Sequence, residues 1–281
     1  MFPLRRFLLV LALLGAANCV SASASAAPVD LRTWTAESYP AVAGFGAGVW
    51  TVSPDGTSVF QSVNGQPTLF YSDFSAIGTE VRGRVRVSPG AGDDDFIGFA
   101  LGFRPGDSTN PAADYLLVDW KRLTQFFDFG PPSTTPGTTA LQGLAVSRVT
   151  GIPTADEFWG HTNFVSDPSG GLAELARGLT LGSTGWVFGQ EYEFSFLFLA
   201  DRLQVSVDGV PQLDISGSFS DGRLAFYNFS QASVTYSGFT VDPAGPGPVV
   251  PEPGSWVLFG AGVLGLLSYS RRCRQRSFKR S

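Results

Sequence analysis

Cysteine, histidine and methionine are nearly absent from this 281-residue chain, which has two, one and one of them. Both cysteines, Cys19 and Cys273, stand in the terminal segments, so the long middle of the chain cannot close a disulfide. A single histidine, His161, excludes a zinc centre built from several His or Cys ligands and leaves no ready His-centred triad. No Gly-Lys-Ser/Thr phosphate loop and no dinucleotide fingerprint occur. Sustained helical periodicity is scarce, and no internal repeat is found. Only 15% of residues are charged, and 24 Phe and six Trp are present, which excludes a disordered filler and leaves ample core for a folded domain.

The longest apolar runs lie at the ends. Met1 to Arg6 is basic, Phe7 to Ala17 apolar and Ser21 to Ala27 small, with Ala24-Ser25-Ala26 as a cleavage site. This predicts an export signal over residues 1–27. Cys19 raises a lipoprotein alternative, against which Asn18 stands where a lipobox wants a small residue. At the other end Pro251-Glu252-Pro253 precedes an apolar run, Ser255 to Ser270, followed by Arg271 and Arg272. The run is short for a spanning helix, which wants roughly 20 apolar residues, yet its glycines Gly260, Gly262 and Gly265 are of a kind common in membrane helices. The arginines after it would stay cytoplasmic and leave the large domain outside. On these residues alone the tail reads as a permanent anchor. Its three parts resemble the PEP-CTERM sorting signal of Gram-negative bacteria, carried by Pro251, Glu252, Pro253, Arg271 and Arg272 within 251–276, ahead of a basic end at 277–281. The resemblance implies transient inner-membrane anchoring, processing by an exosortase, and delivery to the cell surface or the exopolysaccharide matrix.

Between the ends, residues 28–248 hold 11 Lys and Arg against 23 Asp and Glu, a formal charge of −12. Such a domain repels nucleic acid and anionic lipid and suits divalent cations. Period-two alternation recurs through it. In Val81–Val87 the valines share one face and three arginines the other. Phe96–Phe103 puts Ile97, Phe99, Leu101 and Phe103 together, and Tyr192–Leu199 reads as a central strand. Asp208-Gly209 predicts a two-residue hairpin turn between Leu203–Val207 and Val210–Ile215. Leu224–Phe229 and Val234–Val241 close the domain. One short helix is expected, starting at Asp167-Pro168-Ser169 with Leu172, Leu175, Ala176 and Leu179 at helical spacing. Gly130–Thr139 reads as a flexible loop, and 242–250 as a linker to the tail. Many short strands with Gly-rich turns predict an all-β sandwich or jelly roll over residues 28–241.

Ordered blocks in this domain resemble the C-terminal domain of thrombospondins. They are Asp93-Asp94-Asp95-Phe96-Ile97-Gly98-Phe99, then Asp114-Tyr115 to Asp119-Trp120-Lys121, Trp159-Gly160-His161-Thr162, and Gly222-Arg223-Leu224 to Phe229-Ser230-Gln231. The similarity runs from about Thr79 to Val241. It implies a lectin-like β-sandwich that binds several calcium ions. Two departures stand out: Gly160 splits the family's Trp-His pair, and Asp119 replaces an apolar residue. The family's cysteines and its preceding calcium-binding repeats are missing, so the partners of its animal members are not carried over.

Three adjacent carboxylates repel one another unless solvated or neutralised. On the residues alone Asp93, Asp94 and Asp95 make a solvated polar turn; the resemblance favours Ca²⁺, which takes six to eight oxygen ligands. No EF-hand pattern occurs, and further ligands are sought among Asp114, Asp119 and Asp221. His161 is expected to be structural, and Trp159 to pack or line a sugar or peptide site. Glu191 and Glu193 share one strand face and are the fallback for glycosidase chemistry, although the Glu-x-Asp-x-x-Glu pattern of laminarinase-like sandwiches is absent. Asn228-Phe229-Ser230 matches a glycosylation sequon and is read as chance. The expectation is an exported, calcium-binding, non-enzymatic surface or matrix module that meets exopolysaccharide or surface proteins and no nucleic acid. The alternative is a carbohydrate-active enzyme or carbohydrate-binding protein on the same scaffold.

Overall fold

Alternating valines and arginines from Val81 to Val87 set the pattern of the whole molecule, one face buried and one in water. The computed structural model describes residues 26–40, 42, 44–131 and 135–244. Residues 1–25 of the expected export signal, Cys19 among them, most of the linker and the tail residues Pro251, Glu252, Pro253, Arg271 and Arg272 lie outside them. The strands are β1 (Ala27–Pro28), β2 (Thr35–Ser38), β3 (Trp50–Val52), β4 (Ser58–Gln61), β5 (Thr68–Ser75), β6 (Thr79–Val87), β7 (Phe96–Phe103), β8 (Asp114–Lys121) and β9 (Gln125–Phe127). There follow β10 (Thr138–Ala140), β11 (Gly143–Gly151), β12 (Gly170–Arg177), β13 (Glu191–Phe198), β14 (Arg202–Val207), β15 (Val210–Ser216), β16 (Arg223–Phe229) and β17 (Val234–Pro243). Among the described residues there is one α-helix, α1 (Ala155–Gly160), which joins β11 to β12.

Two antiparallel sheets face each other, as expected of a β-sandwich. The first has the order β15-β14-β13-β6-β17-β4-β3, with β1 on β17; the second has β12-β11-β8-β7-β16-β5-β2, and β9 and β10 form a separate hairpin. The main core lies between the sheets, where Val81 and Val85 of β6 and Phe194 and Phe196 of β13 meet Ile97 and Phe99 of β7 and Phe226 of β16. A second apolar cluster lies on the outer face of the second sheet, where α1 and the β9–β10 hairpin cover Phe96, Leu117, Tyr227 and Phe229. Strands β7 and β8 are therefore buried on both faces and read as near-continuous apolar runs.

The hairpin turn at Asp208-Gly209 is present, with φ of +50° and +75° at the two residues, as a type I′ turn requires. Three details differ from expectation. The helix expected from Asp167 is strand β12, paired with β11 from Gly170 to Arg177; Leu172 and Ala176 satisfy even spacing as well as helical spacing, and the sheet edge supplies the hydrogen bonds. The helix is α1 instead, six residues opened by a capping box in which Thr154 and Glu157 satisfy each other's backbone N–H. Phe103 joins the second cluster, not the face of Ile97, Phe99 and Leu101, because Gly102 has φ +86° and the register against β16 shifts there.

One polar group crosses the main core. Tyr236 of β17 stacks its ring on Phe226, 4.5 Å away at 4°, and donates its hydroxyl to the Tyr227 carbonyl at 2.8 Å in the opposite sheet. The same oxygen accepts the Gly98 N–H at 3.3 Å. Tyr236→Phe keeps the stacking and orphans these backbone groups, so it should cost about 1–3 kcal/mol. The expected readout is a lower denaturant midpoint with an unchanged slope; an unchanged midpoint would show that the hydroxyl contributes nothing.

Candidate functional site

The acidic triplet closes the loop between β6 and β7, where Gly90 and Gly92 turn the chain with positive φ. Backbone contacts hold it on every side. Gln231 accepts the Asp95 N–H at 2.9 Å, the Trp186 indole donates to the Asp95 carbonyl at 3.0 Å, and the Arg122 N–H donates to the Asp94 carbonyl at 3.1 Å. Phe96 opens β7 directly opposite Lys121, the last residue of β8. The Lys121 ammonium is fully buried and bonds the Asp94 carboxylate at 3.2 Å, the Asp94 carbonyl at 3.1 Å, the Gln125 amide oxygen at 3.2 Å, and the Asp95 carboxylate. It also lies 4.5 Å from the centre of the Trp159 ring.

Oxygens of Asp93, Asp94 and Asp95 all lie within 4.8 Å of one another. Burial, the adjacent Asp93 carboxyl and incomplete compensation by Lys121 push Asp95 up to about 7. Among the described residues Lys121 is the one side-chain cation bonded to the triplet. With all three carboxylates ionised, the single ammonium would leave two negative charges, so a divalent ion would compete with the proton that burial and Asp93 favour on Asp95. The clustered carboxylate oxygens are hard donors of the kind Ca²⁺ takes, while the neighbouring Asn64 turns its amide nitrogen to Asp93 and the Gln125 oxygen accepts from Lys121.

Two cavities meet at the triplet and share Asp93 and Gln125. The smaller, about 190 Å³, is walled by Phe45, Phe127, Phe129 and Trp159 and floored by Asp93 and Asp95. The larger, about 390 Å³, opens between Asp94, Arg122, Leu123 and Phe188. Helix α1 positions the aromatic wall: buried Asp156 accepts the Phe129 N–H at 3.0 Å, and the Trp159 indole donates to the Gln125 carbonyl at 3.1 Å.

The single histidine has two carboxylate partners. His161 caps α1 with φ +48° and bonds Asp119 at 3.0 Å and Glu174 at 3.2 Å. Glu174 also pairs with Arg177 at 2.7 Å. Burial alone would lower the histidine, but the two carboxylates outweigh it and hold it at about 9, protonated at neutral pH. Burial works against Glu174 as well, yet the bonds from His161 and Arg177 bring it to about 2. Asp119, one departure from the thrombospondin pattern, thus bonds His161, which follows the other at Gly160, at the C-terminal end of α1.

The other expected residues lie elsewhere. Asp114 starts β8, at the end opposite Lys121, and pairs with Arg148 at 2.6 Å. Asp221 caps Ser75 and the Gly222 N–H, and Asp119 serves His161; none of the three meets the triplet. Glu191 and Glu193 are about half exposed on the outer face of β13, each 3.8 Å from Arg84. Asn228 is buried, with its amide donating to the Gln231 carbonyl. Asn64, Gln125 and the phenylalanine wall escape sequence reasoning, since they come from three segments far apart in the chain. The one local signal is the aromatic-rich run Gln125-Phe126-Phe127-Asp128-Phe129.

Residues 249–272 match a family model described as the PEP-CTERM protein-sorting motif. The chain is sorted for export to the cell envelope. Its domain is similar to Thrombospondin-4 of Bos taurus, 26% identical over 201 residues, which cover 67% of this chain and 19% of that protein. Thrombospondin-3b of Danio rerio is likewise 26% identical over 201 residues, 67% of this chain and 20% of the relative. The chain thus spans about a fifth of these relatives, and the likeness agrees with the thrombospondin-like blocks read from the sequence. Among solved structures, the carbohydrate-binding module CBM66 from Bacillus subtilis aligns over 75% of this chain and 95% of its own, with 11% identity and a TM-score of 0.46. The exoplasmic/lumenal domain of VIP36 in a Ca²⁺- and mannose-bound form aligns over 78% and 86%, with 10% identity and a TM-score of 0.45.

The His161 network has a definite pH signature. A histidine raised in the folded state stabilises fully below its unfolded value of 6.5, and the gain is lost as pH rises through about 9. Urea midpoints should therefore fall between pH 6.5 and 9, and His161→Gln should flatten that limb. A limb of unchanged steepness in the variant would remove His161 as its source.

Proposed function

We propose that the exported domain is a calcium-binding, non-enzymatic module of the cell surface or extracellular matrix, with Asp93, Asp94 and Asp95 as its metal ligands. The observation that carries this is the geometry of the triplet: oxygens of three carboxylates lie within 4.8 Å of one another, and one buried lysine falls short of the positive charge they call for when all are ionised. Calcium would supply that charge and draw the loop oxygens together; the chain's own residues anchor the loop through Gln231, Trp186 and Lys121.

The direction of the chain supports a surface role. β17 begins opposite Val87, beside the acidic loop, and ends at Pro243 opposite Thr79. Ten residues of strand span roughly 30 Å. Ala27 pairs with Val241 at that same far end, so both the expected export signal and the sorting tail join the domain at the pole away from the triplet. The acidic pole is thus the end of the sandwich away from Ala27 and Pro243, and it is the end that would meet exopolysaccharide or other surface proteins.

An enzyme on this scaffold is the second reading, since Asp93 and Asp95 do border an aromatic cleft. Oxygens of the two lie within 4.8 Å of each other, and Asp95 is held by Lys121. Glycosidase carboxyls stand apart across the scissile bond, about 5 to 9.5 Å, and here nothing fits between them.

Thermal unfolding of the full-length chain in EDTA and in millimolar Ca²⁺ tests the metal site. A hundredfold excess over the dissociation constant adds about 2.7 kcal/mol, a rise of about 5–10 °C for a domain of this size. The rise should vanish in Asp93→Asn. Equal melting temperatures with and without Ca²⁺ would remove the metal from this reading.

A further inference from the structure

The geometry points to a glycan-binding groove across the acidic loop, with one neutral sugar ring in the smaller cavity and the next units of a linear chain in the larger. This rests on the reading of the triplet as a metal-organised binding site and names its ligand class. The smaller cavity, about 190 Å³, is many times the roughly 10–15 Å³ that one water needs on the same measure, which leaves room for a ligand of the size of a single ring. Its wall is apolar and aromatic at Phe45 and Phe127, both half-buried and able to take the C–H face of a ring.

Its floor mixes donors and acceptors. Gln125 accepts from Lys121 through its oxygen, which leaves its amide nitrogen to donate. Asp93 accepts from Asn64 and from the Asp94 N–H, and its carboxylate has acceptor capacity to spare. Ser230 donates to Asn64 and can still accept. Vicinal hydroxyls, which donate and accept at once, suit this set. An ammonium ligand does not, because the position over Trp159 and between Asp94 and Asp95 is already taken by Lys121.

The second cavity turns a ring site into a chain site. It adjoins the first through Asp93 and Gln125, and it offers Phe188 and Leu123 as further apolar surface with Thr124 beside them. Two adjoining cavities with one apolar surface each match a polymer with a repeating ring. The acidic pole also lies at the opposite end of β17 from Pro243.

The test is calorimetric titration of the full-length chain, in Ca²⁺, with methyl glycosides of glucose, galactose, mannose and N-acetylglucosamine and with linear trisaccharides of each. At least one series should bind, its trisaccharide about tenfold or more tighter than its monosaccharide. Phe127→Ala should weaken both members about fivefold, and Phe188→Ala only the trisaccharide, with the Ca²⁺-dependent melting shift kept in both variants. A persistent melting shift with no binding by any member of the panel overturns the groove and leaves the metal site standing. Binding that both variants leave unchanged overturns it too. Absence of both the shift and the binding overturns the metal reading and the groove together.

Discussion

The buried ammonium of Lys121 is the constraint on which the acidic pole depends. A lysine without exposure is costly unless it is paired and fully hydrogen-bonded, and here its partners come from two chain segments: Asp94 and Asp95 before β7, and Gln125 at the start of β9. Because Lys121 lies directly opposite Phe96, the ladder between β7 and β8 delivers cation and carboxylates to the same point. The Asp93–Asp95 segment is thereby drawn against the sheet and the aromatic wall. Removal of any partner would strand a charge in a low-dielectric site, which ties the loop to the fold more firmly than a solvated turn.

A second ionic knot braces the neighbouring face. His161, Asp119, Glu174 and Arg177 link the end of α1 to β8 and β12. The capping box at Thr154 fixes where α1 starts, and the left-handed residue at His161 fixes where it stops. Between these limits Asp156 reaches the Phe129 backbone and Trp159 reaches Gln125. A helix of six residues has little stability of its own; its place is set by what its side chains hold. The exchange of an apolar residue for Asp119 makes sense only beside His161, since a buried carboxylate needs a partner there.

Function follows from the polarity of the sandwich. The acidic loop and its two cavities occupy one pole, and the chain leaves toward the sorting motif from the other. The outer face of the first sheet, with Arg84 between Glu191 and Glu193, is a balanced solvated surface. Concave shape, aromatic surface and clustered carboxylates coincide at the acidic pole, and the proposed binding role rests on that coincidence.

Much of the fold was legible because a strand writes its burial into every second residue. Val81 to Val87, Tyr192 to Phe198 and the Asp208-Gly209 turn needed no neighbours to be read, and the terminal signals are linear by nature. The acidic triplet was also visible, as three adjacent letters. Where burial is two-sided or the element is short, the periodicity fails. Leu172 and Ala176 fit either period, α1 is too brief to show one, and Phe103 changes face because Gly102 turns the strand. The sequence by itself determined an exported all-β domain with an acidic loop. Only the tertiary structure decided that Lys121 answers that loop, that Asn64, Gln125 and Phe127 surround it, and that Asp119 meets His161. These are long-range meetings, made by strand register and core packing, and no local pattern of residues encodes them.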